Sequence, residues 1–88
     1  LRVEGSSMSL AGILSGDYLV VDRALKPRNG DFVIASVFGE LTVKELNTSG
    51  PMPMLVPHNP DYPTIKITDE SDFEIFGVVS SVVRKLER

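Results

Sequence analysis

Short apolar runs rich in valine and isoleucine recur along the chain, each bounded by glycine, proline, asparagine or aspartate. That punctuation predicts strands joined by tight turns. Tyr18-Leu19-Val20-Val21 follows Gly16-Asp17, and Phe32-Val33-Ile34-Ala35 follows Gly30-Asp31. Glycine tolerates positive φ and aspartate caps turns, so the shared Gly-Asp pair reads as a turn feeding a strand. No helix pattern follows either pair, which argues against a phosphate-cradling loop. Phe38-Gly39 divides residues 31–37 from residues 40–46 and predicts a β-hairpin. Met54-Leu55-Val56 and Ile65-Lys66-Ile67 are further short strands, and Asn47 to Pro53 is a loop rich in glycine, proline and serine. Pro57-His58-Asn59-Pro60-Asp61-Tyr62-Pro63 carries too many prolines for regular structure and predicts a surface loop. Asp69 to Asp72 reads as a solvated acidic turn. Only Ser9 to Leu14 has the pattern of a turn of helix.

Phe73 to Leu86 predicts a long last strand. On a regular strand Ile75, Val79 and Val83 share one face, and Phe76, Val78, Val82 and Leu86 the other. Apolar residues on both faces imply cover on both sides, either as a central strand or against a second subunit. Arg84, Lys85 and Arg88 beyond it read as a solvated basic end. The elements together predict one mostly β domain over residues 1–88, built of short curved strands with hairpins.

Composition narrows the function. The 88 residues are 42% hydrophobic and 24% charged, the balance of a folded domain with a modest core. A net charge of −3 argues against nonspecific nucleic-acid binding, which needs a basic surface. The chain has no cysteine and one histidine, His58. That removes disulfides and thiolate metal sites and leaves no set of residues for zinc; no cofactor is expected. No apolar run reaches the length of a membrane span.

Two residues stand out for chemistry. Ser7 follows Gly5 in Gly5-Ser6-Ser7-Met8, where a flexible turn would expose its Oγ and backbone N–H. A serine hydroxyl needs a base to become a nucleophile, and lysine is one of the known options. Lysine serves only as the neutral amine, a state that burial favours. Lys44 lies in the strand-like Leu41-Thr42-Val43-Lys44-Glu45-Leu46, sharing a face with Thr42 and Leu46. The other readings make Ser7 a loop serine and Lys44 a solvated strand lysine, or pair a serine with His58.

A longer pattern bears on that choice. Gly5-Ser6-Ser7-Met8, Ala11-Gly12-Ile13, Gly16-Asp17, Val20-Val21-Asp22-Arg23, Gly30-Asp31, Gly39-Glu40, Thr42-Val43-Lys44, Pro57-His58-Asn59-Pro60-Asp61-Tyr62 and Phe76-Gly77-Val78-Val79 resemble, in order and over nearly the whole chain, the LexA/UmuD family of self-cleaving proteins. The ending through Val82-Val83-Arg84-Lys85-Leu86 resembles the UmuD-like branch and its plasmid-borne members. One departure is visible: Ser6 stands where that branch often has an acidic residue.

The resemblance implies a β-clip type fold, with Ser7 as nucleophile and Lys44 as general base. It implies that a precursor cuts its own N-terminal arm at a Cys-Gly or Ala-Gly bond, stimulated by a RecA–single-stranded DNA filament. The shortened form would be a homodimer that joins a UmuC-type polymerase in the bacterial cytoplasm, copying damaged DNA in the SOS response. No cofactor, metal, membrane or sequence-specific nucleic-acid contact is implied. Ala11-Gly12 follows Ser7, so the expectation is a core whose substrate arm lies outside this sequence. The alternatives are the self-cleaving C-terminal domain of a LexA or phage-type repressor, and a non-catalytic β interaction module.

Overall fold

The computed structural model describes residues 1–86. Its six strands are β1 (Tyr18–Asp22), β2 (Phe32–Val37), β3 (Glu40–Asn47), β4 (Met54–Val56), β5 (Ile65–Lys66) and β6 (Phe73–Val83). They form one sheet in the order β1-β6-β2-β3-β4-β5, with every neighbouring pair antiparallel. A 3₁₀ turn at Ser9–Ala11 interrupts the N-terminal segment. Among the described residues, no helix is long and apolar enough to cross a membrane.

The turns behave as their residues require. Phe38 and Gly39 both adopt positive φ, 47° and 82°, as a two-residue hairpin between twisted strands demands. Phe38 is the one non-glycine residue in that region among those described. The two Gly-Asp turns share one geometry. Asp17 Oδ2 accepts the Leu14 N–H and Asp31 Oδ2 accepts the Arg28 N–H, each at 2.8 Å. Both are turns feeding strands, as the sequence implies.

Alternation along β2 divides the apolar residues between the sheet's two faces. Ile34 joins Val3, Met8, Ile13, Leu19 and Val43 in one buried cluster, under the N-terminal segment. Val33 and Ala35 join Leu46, Leu55 and Val78 in the other, with Ile65 and Ile67 packed against them.

The last strand departs from expectation. It ends at Val83, not Leu86, and its faces are not those of a regular strand. Register shifts between Ile34 and Ala35 and between Val20 and Val21 leave Phe76 and Ser80 unpaired on β6. Each such bulge switches the side on which the following residue points. Ile75 and Val78 therefore pack with the second cluster, while Phe76 and Val79 pack with the first. Burial on both sides stops there, since Val82 and Val83 are exposed. Gly77 leaves no room for a side chain against β1. A Cβ there would stand 2.5 Å from Val21 Cγ1 and 3.0 Å from the Asp22 carbonyl oxygen.

Arg84 is likewise not a free basic tail. Its guanidinium donates to both oxygens of Asp17, each at 2.7 Å, and to the Gly12 carbonyl at 2.8 Å. Asp17 is buried. The bonds from Arg84, then from the Leu14 N–H, hold its carboxyl at about 2 against an ordinary 3.8, although burial opposes them. The sign follows from linkage: a carboxyl with a depressed folded pKa contributes stability above its unfolded pKa and loses it as pH falls. Thermal melts should show stability falling from about pH 4 toward pH 2. Asp17→Asn should lower the midpoint at neutral pH and flatten that slope. An unchanged slope would remove Asp17 as its source. Arg88 lies outside the described residues.

Candidate active site

Ser7 sits in the loop before the 3₁₀ turn, and Met8 beside it fixes the loop in place. Met8 is 1% exposed and lies in the first cluster with Val3, Ile13 and Val43. Its neighbour Ser7 is thus held at the rim of that cluster, only partly buried.

Lys44 arrives from the other side of the sheet. It pairs with Val33 on β2, whose side chain belongs to the second cluster, so its stem starts on that face. β4 pairs with β3 only from Glu45 to Asn47, which leaves the β3 edge from Glu40 to Lys44 without a strand partner. Around this open edge the lysine reaches back. Nζ donates to Ser7 Oγ at 2.9 Å, to Thr42 Oγ1 at 2.5 Å and to the Val43 carbonyl at 3.2 Å.

Lys44 is 6% exposed. Burial pushes its amine below its ordinary pKa. Neither of the ion pairs among the described residues, His58–Glu45 and Arg84–Asp17, involves it. Its acceptors are two hydroxyls and a carbonyl, all neutral, so no carboxylate partner holds the proton on.

Space adjoins the pair on both sides. A groove of about 200 Å³ runs past Ser7, Leu1, Val3, Leu19, Leu41 and Val43. A second, of about 500 Å³, is lined by Lys44, Val37, Phe38, Tyr62, Pro63 and Ile65. Thr42 borders both. The arrangement is a hydroxyl, a buried amine and two grooves of mixed lining, with Arg2 and Glu4 in the first and Glu40 in the second.

Residues 1–80 match the family model described as Peptidase S24-like. The chain belongs to that family. Peptidase S24-like proteins are generally self-cleaving serine peptidases, and the LexA/UmuD resemblance of the motifs is the same assignment. The chain is 47% identical over 85 residues to protein ImpA of Salmonella typhimurium, covering 97% of this chain and 57% of that protein. It is 46% identical over 85 residues to protein SamA of the same species, covering 97% and 58%. To the LexA repressor of Delftia acidovorans it is 44% identical over 84 residues, covering 96% and 38%. The chain thus spans under three-fifths of the first two and about two-fifths of the third.

The remaining candidates lie close by in other roles. His58 Nε2 is 3.0 Å from Glu45 Oε1, and its ring packs edge-on against Phe32. It meets Ser7 only through the backbone, donating its N–H to the Ser7 carbonyl at 2.8 Å. Ser6 Oγ lies 3.1 Å from Tyr62 Oη, at the surface. The loop carrying His58 and Tyr62, which the sequence presents as irregular surface, is therefore tied to the Ser7 loop. Asn59 extends the tie, donating to the Ser6 carbonyl at 2.9 Å.

Proposed function

We propose that this chain is the peptidase core of a UmuD-like protein, in which Ser7 is the nucleophile and Lys44 the general base for cutting the protein's own N-terminal arm. The observation that carries the reading is the 2.9 Å contact of Lys44 Nζ with Ser7 Oγ, made by an amine that is buried and has no acidic partner among the described residues. Neutral Lys44 takes the Ser7 proton as Oγ attacks the scissile carbonyl carbon. The resulting tetrahedral intermediate collapses, the C–N bond breaks, and Lys44 returns the proton to the leaving amine. Water, deprotonated in turn by Lys44, then hydrolyses the acyl-Ser7 ester.

Two further features support the reading. Among the described residues, the backbone N–H groups of Ser6, Ser7 and Met8 make no hydrogen bond, and they flank the nucleophile where an oxyanion would develop. The open β3 edge from Glu40 to Lys44 offers main-chain partners to an extended substrate segment. The test is self-cleavage of the full-length protein, stimulated by a RecA–single-stranded DNA filament and read by mass spectrometry. Absence of any such cleavage argues for the non-catalytic interaction module instead.

The shortened form is proposed to act as a homodimer that joins a UmuC-type polymerase in the bacterial cytoplasm during the SOS response. Tyr18, on the edge strand β1, lies opposite Val83, and both are exposed along with Val20, which shares their face. This apolar end of the sheet is the surface offered for pairing. Light scattering at micromolar concentration should give twice the chain mass, and Val83→Glu should shift it to the monomer. A wild-type monomer would overturn the dimer.

The identity to LexA repressors favours a second reading, the self-cleaving domain of a repressor. The upstream sequence distinguishes the two: a short arm with a Cys-Gly or Ala-Gly bond fits the first, and a helix-turn-helix domain fits the second.

A further inference from the structure

We infer that Asn59 is a positioning residue that sets the oxyanion-binding geometry, by fixing the peptide plane that presents the Ser7 N–H. The inference rests on the reading of Ser7 as the nucleophile. A trans peptide unit is planar, with its C=O and N–H pointing in opposite directions. The Ser6 carbonyl and the Ser7 N–H belong to one such unit. Whatever holds the carbonyl aims the N–H.

Asn59 Nδ2 donates to that carbonyl at 2.9 Å, and Ser9 N–H donates to it at 3.1 Å. The same amide group also reaches Ser9 Oγ at 3.3 Å. On its other side Asn59 Oδ1 accepts the Asp61 N–H at 2.9 Å, which fixes which end of the amide faces Ser6. The next peptide unit is held in the same way. His58 N–H donates to the Ser7 carbonyl at 2.8 Å, and the N–H of that unit belongs to Met8. The chain then returns the tie, as the Leu10 N–H donates to the His58 carbonyl at 2.8 Å.

Both peptide planes flanking the nucleophile are therefore gripped at their carbonyl ends by two consecutive residues of one loop. Among the described residues, the Ser7 and Met8 N–H groups at the other ends make no hydrogen bond. A donor on a carbonyl also polarises the peptide and strengthens its N–H as a donor. Asn59 supplies the one side-chain part of this grip, so it can be altered without touching the backbone. A bystander asparagine would need only its Asp61 contact, the ordinary local turn of such residues. The contact to Ser6, 53 positions away, goes beyond that.

The test is self-cleavage of the full-length protein over a range of pH. Asn59→Asp keeps the size of the side chain and the acceptor for Asp61 N–H, but its carboxylate cannot donate to the Ser6 carbonyl. Asn59→Ala removes both contacts. Each should lower the plateau rate about tenfold or more, on the scale of losing part of an oxyanion donor. In Asn59→Ala, which adds no charge near Lys44, the pH midpoint should not move. Glu45→Ala, which removes the tie of the same loop's His58 to β3, should keep the plateau rate within about twofold of wild type if peptide orientation, not general tethering of the loop, is what matters. Three results overturn the inference: Asn59→Asp cutting at the wild-type rate, a Glu45→Ala plateau loss as large as that of Asn59→Asp, or an Asn59→Ala loss explained by a shifted midpoint. Unfolding of both Asn59 variants at every assay temperature would assign Asn59 to structure and overturn it too. A Ser7→Ala protein that still cuts would bring down the parent reading. An inert Ser7→Ala beside a fully active Asn59→Asp would sink this inference alone.

Discussion

Ser7→Ala should abolish self-cleavage of the full-length protein, and Lys44→Ala should slow it by at least about 10⁴-fold. Both variants should remain folded by circular dichroism. Ser7 is at the rim of the core, and replacing a buried amine with a methyl group removes a desolvation cost along with some packing. In wild type the rate should climb with pH, because only neutral Lys44 can accept the Ser7 proton. Burial lowers the pKa of Lys44, so the climb should level off below the range of an ordinary lysine. Lys44→Arg is the sharper variant. It retains length and charge but does not lose its proton at any accessible pH, so raising pH should not rescue it. If Lys44→Arg or Lys44→Ala cuts at the wild-type rate, Lys44 is not the base, and His58 would be examined next.

Met8→Ala should destabilise the domain by about 2–5 kcal/mol, the usual cost of emptying a large buried apolar site. Met8 is among the largest fully buried side chains, at 1% exposure, and it packs with residues from the N-terminal segment, β1, β2 and β3. Met8→Leu, which keeps the volume, should cost under about 1.5 kcal/mol. Urea titration would measure both. Because Met8 anchors the loop that carries Ser7, the alanine variant should also lose cleavage rate at temperatures where it is still folded. A Met8→Ala protein as stable as wild type would mean that the loop is held by its hydrogen bonds alone.

Local signals were the legible part of this fold. Gly16, Gly30 and Gly39 each lie in the positive-φ region, where glycine meets no steric penalty, so the turns and the strands they feed could be placed from the chain. Ser7 and Lys44 stand out by residue type and motif, and Lys44 Nζ lies 2.9 Å from Ser7 Oγ. What could not be read was anything set by partners distant along the chain. The bulges at Phe76 and Ser80 answer to β2 and β1, and no period in the β6 sequence announces them. Arg84 looks like solvated charge until Asp17, 67 positions earlier, is placed under it. Asn59 is hidden for the same reason. Its proline-rich surroundings advertise irregular backbone, and only tertiary contact shows what that backbone grips.

The place of β6 in the sheet also governs the order in which the molecule can be assembled. The last strand in sequence lies between β1 and β2, and it is the ladder partner of both. A ribosome delivers β1 and β2 long before β6, so β1 emerges without its neighbour and β2 with only one of its two. The hairpin of β2 and β3 can close early, from local contacts alone. The seat of β1 and the full cover of the first cluster, which carries Met8 beside Ser7, wait for β6. The site proposed at Ser7 and Lys44 is therefore seated in a finished core only after β6 has docked between β1 and β2.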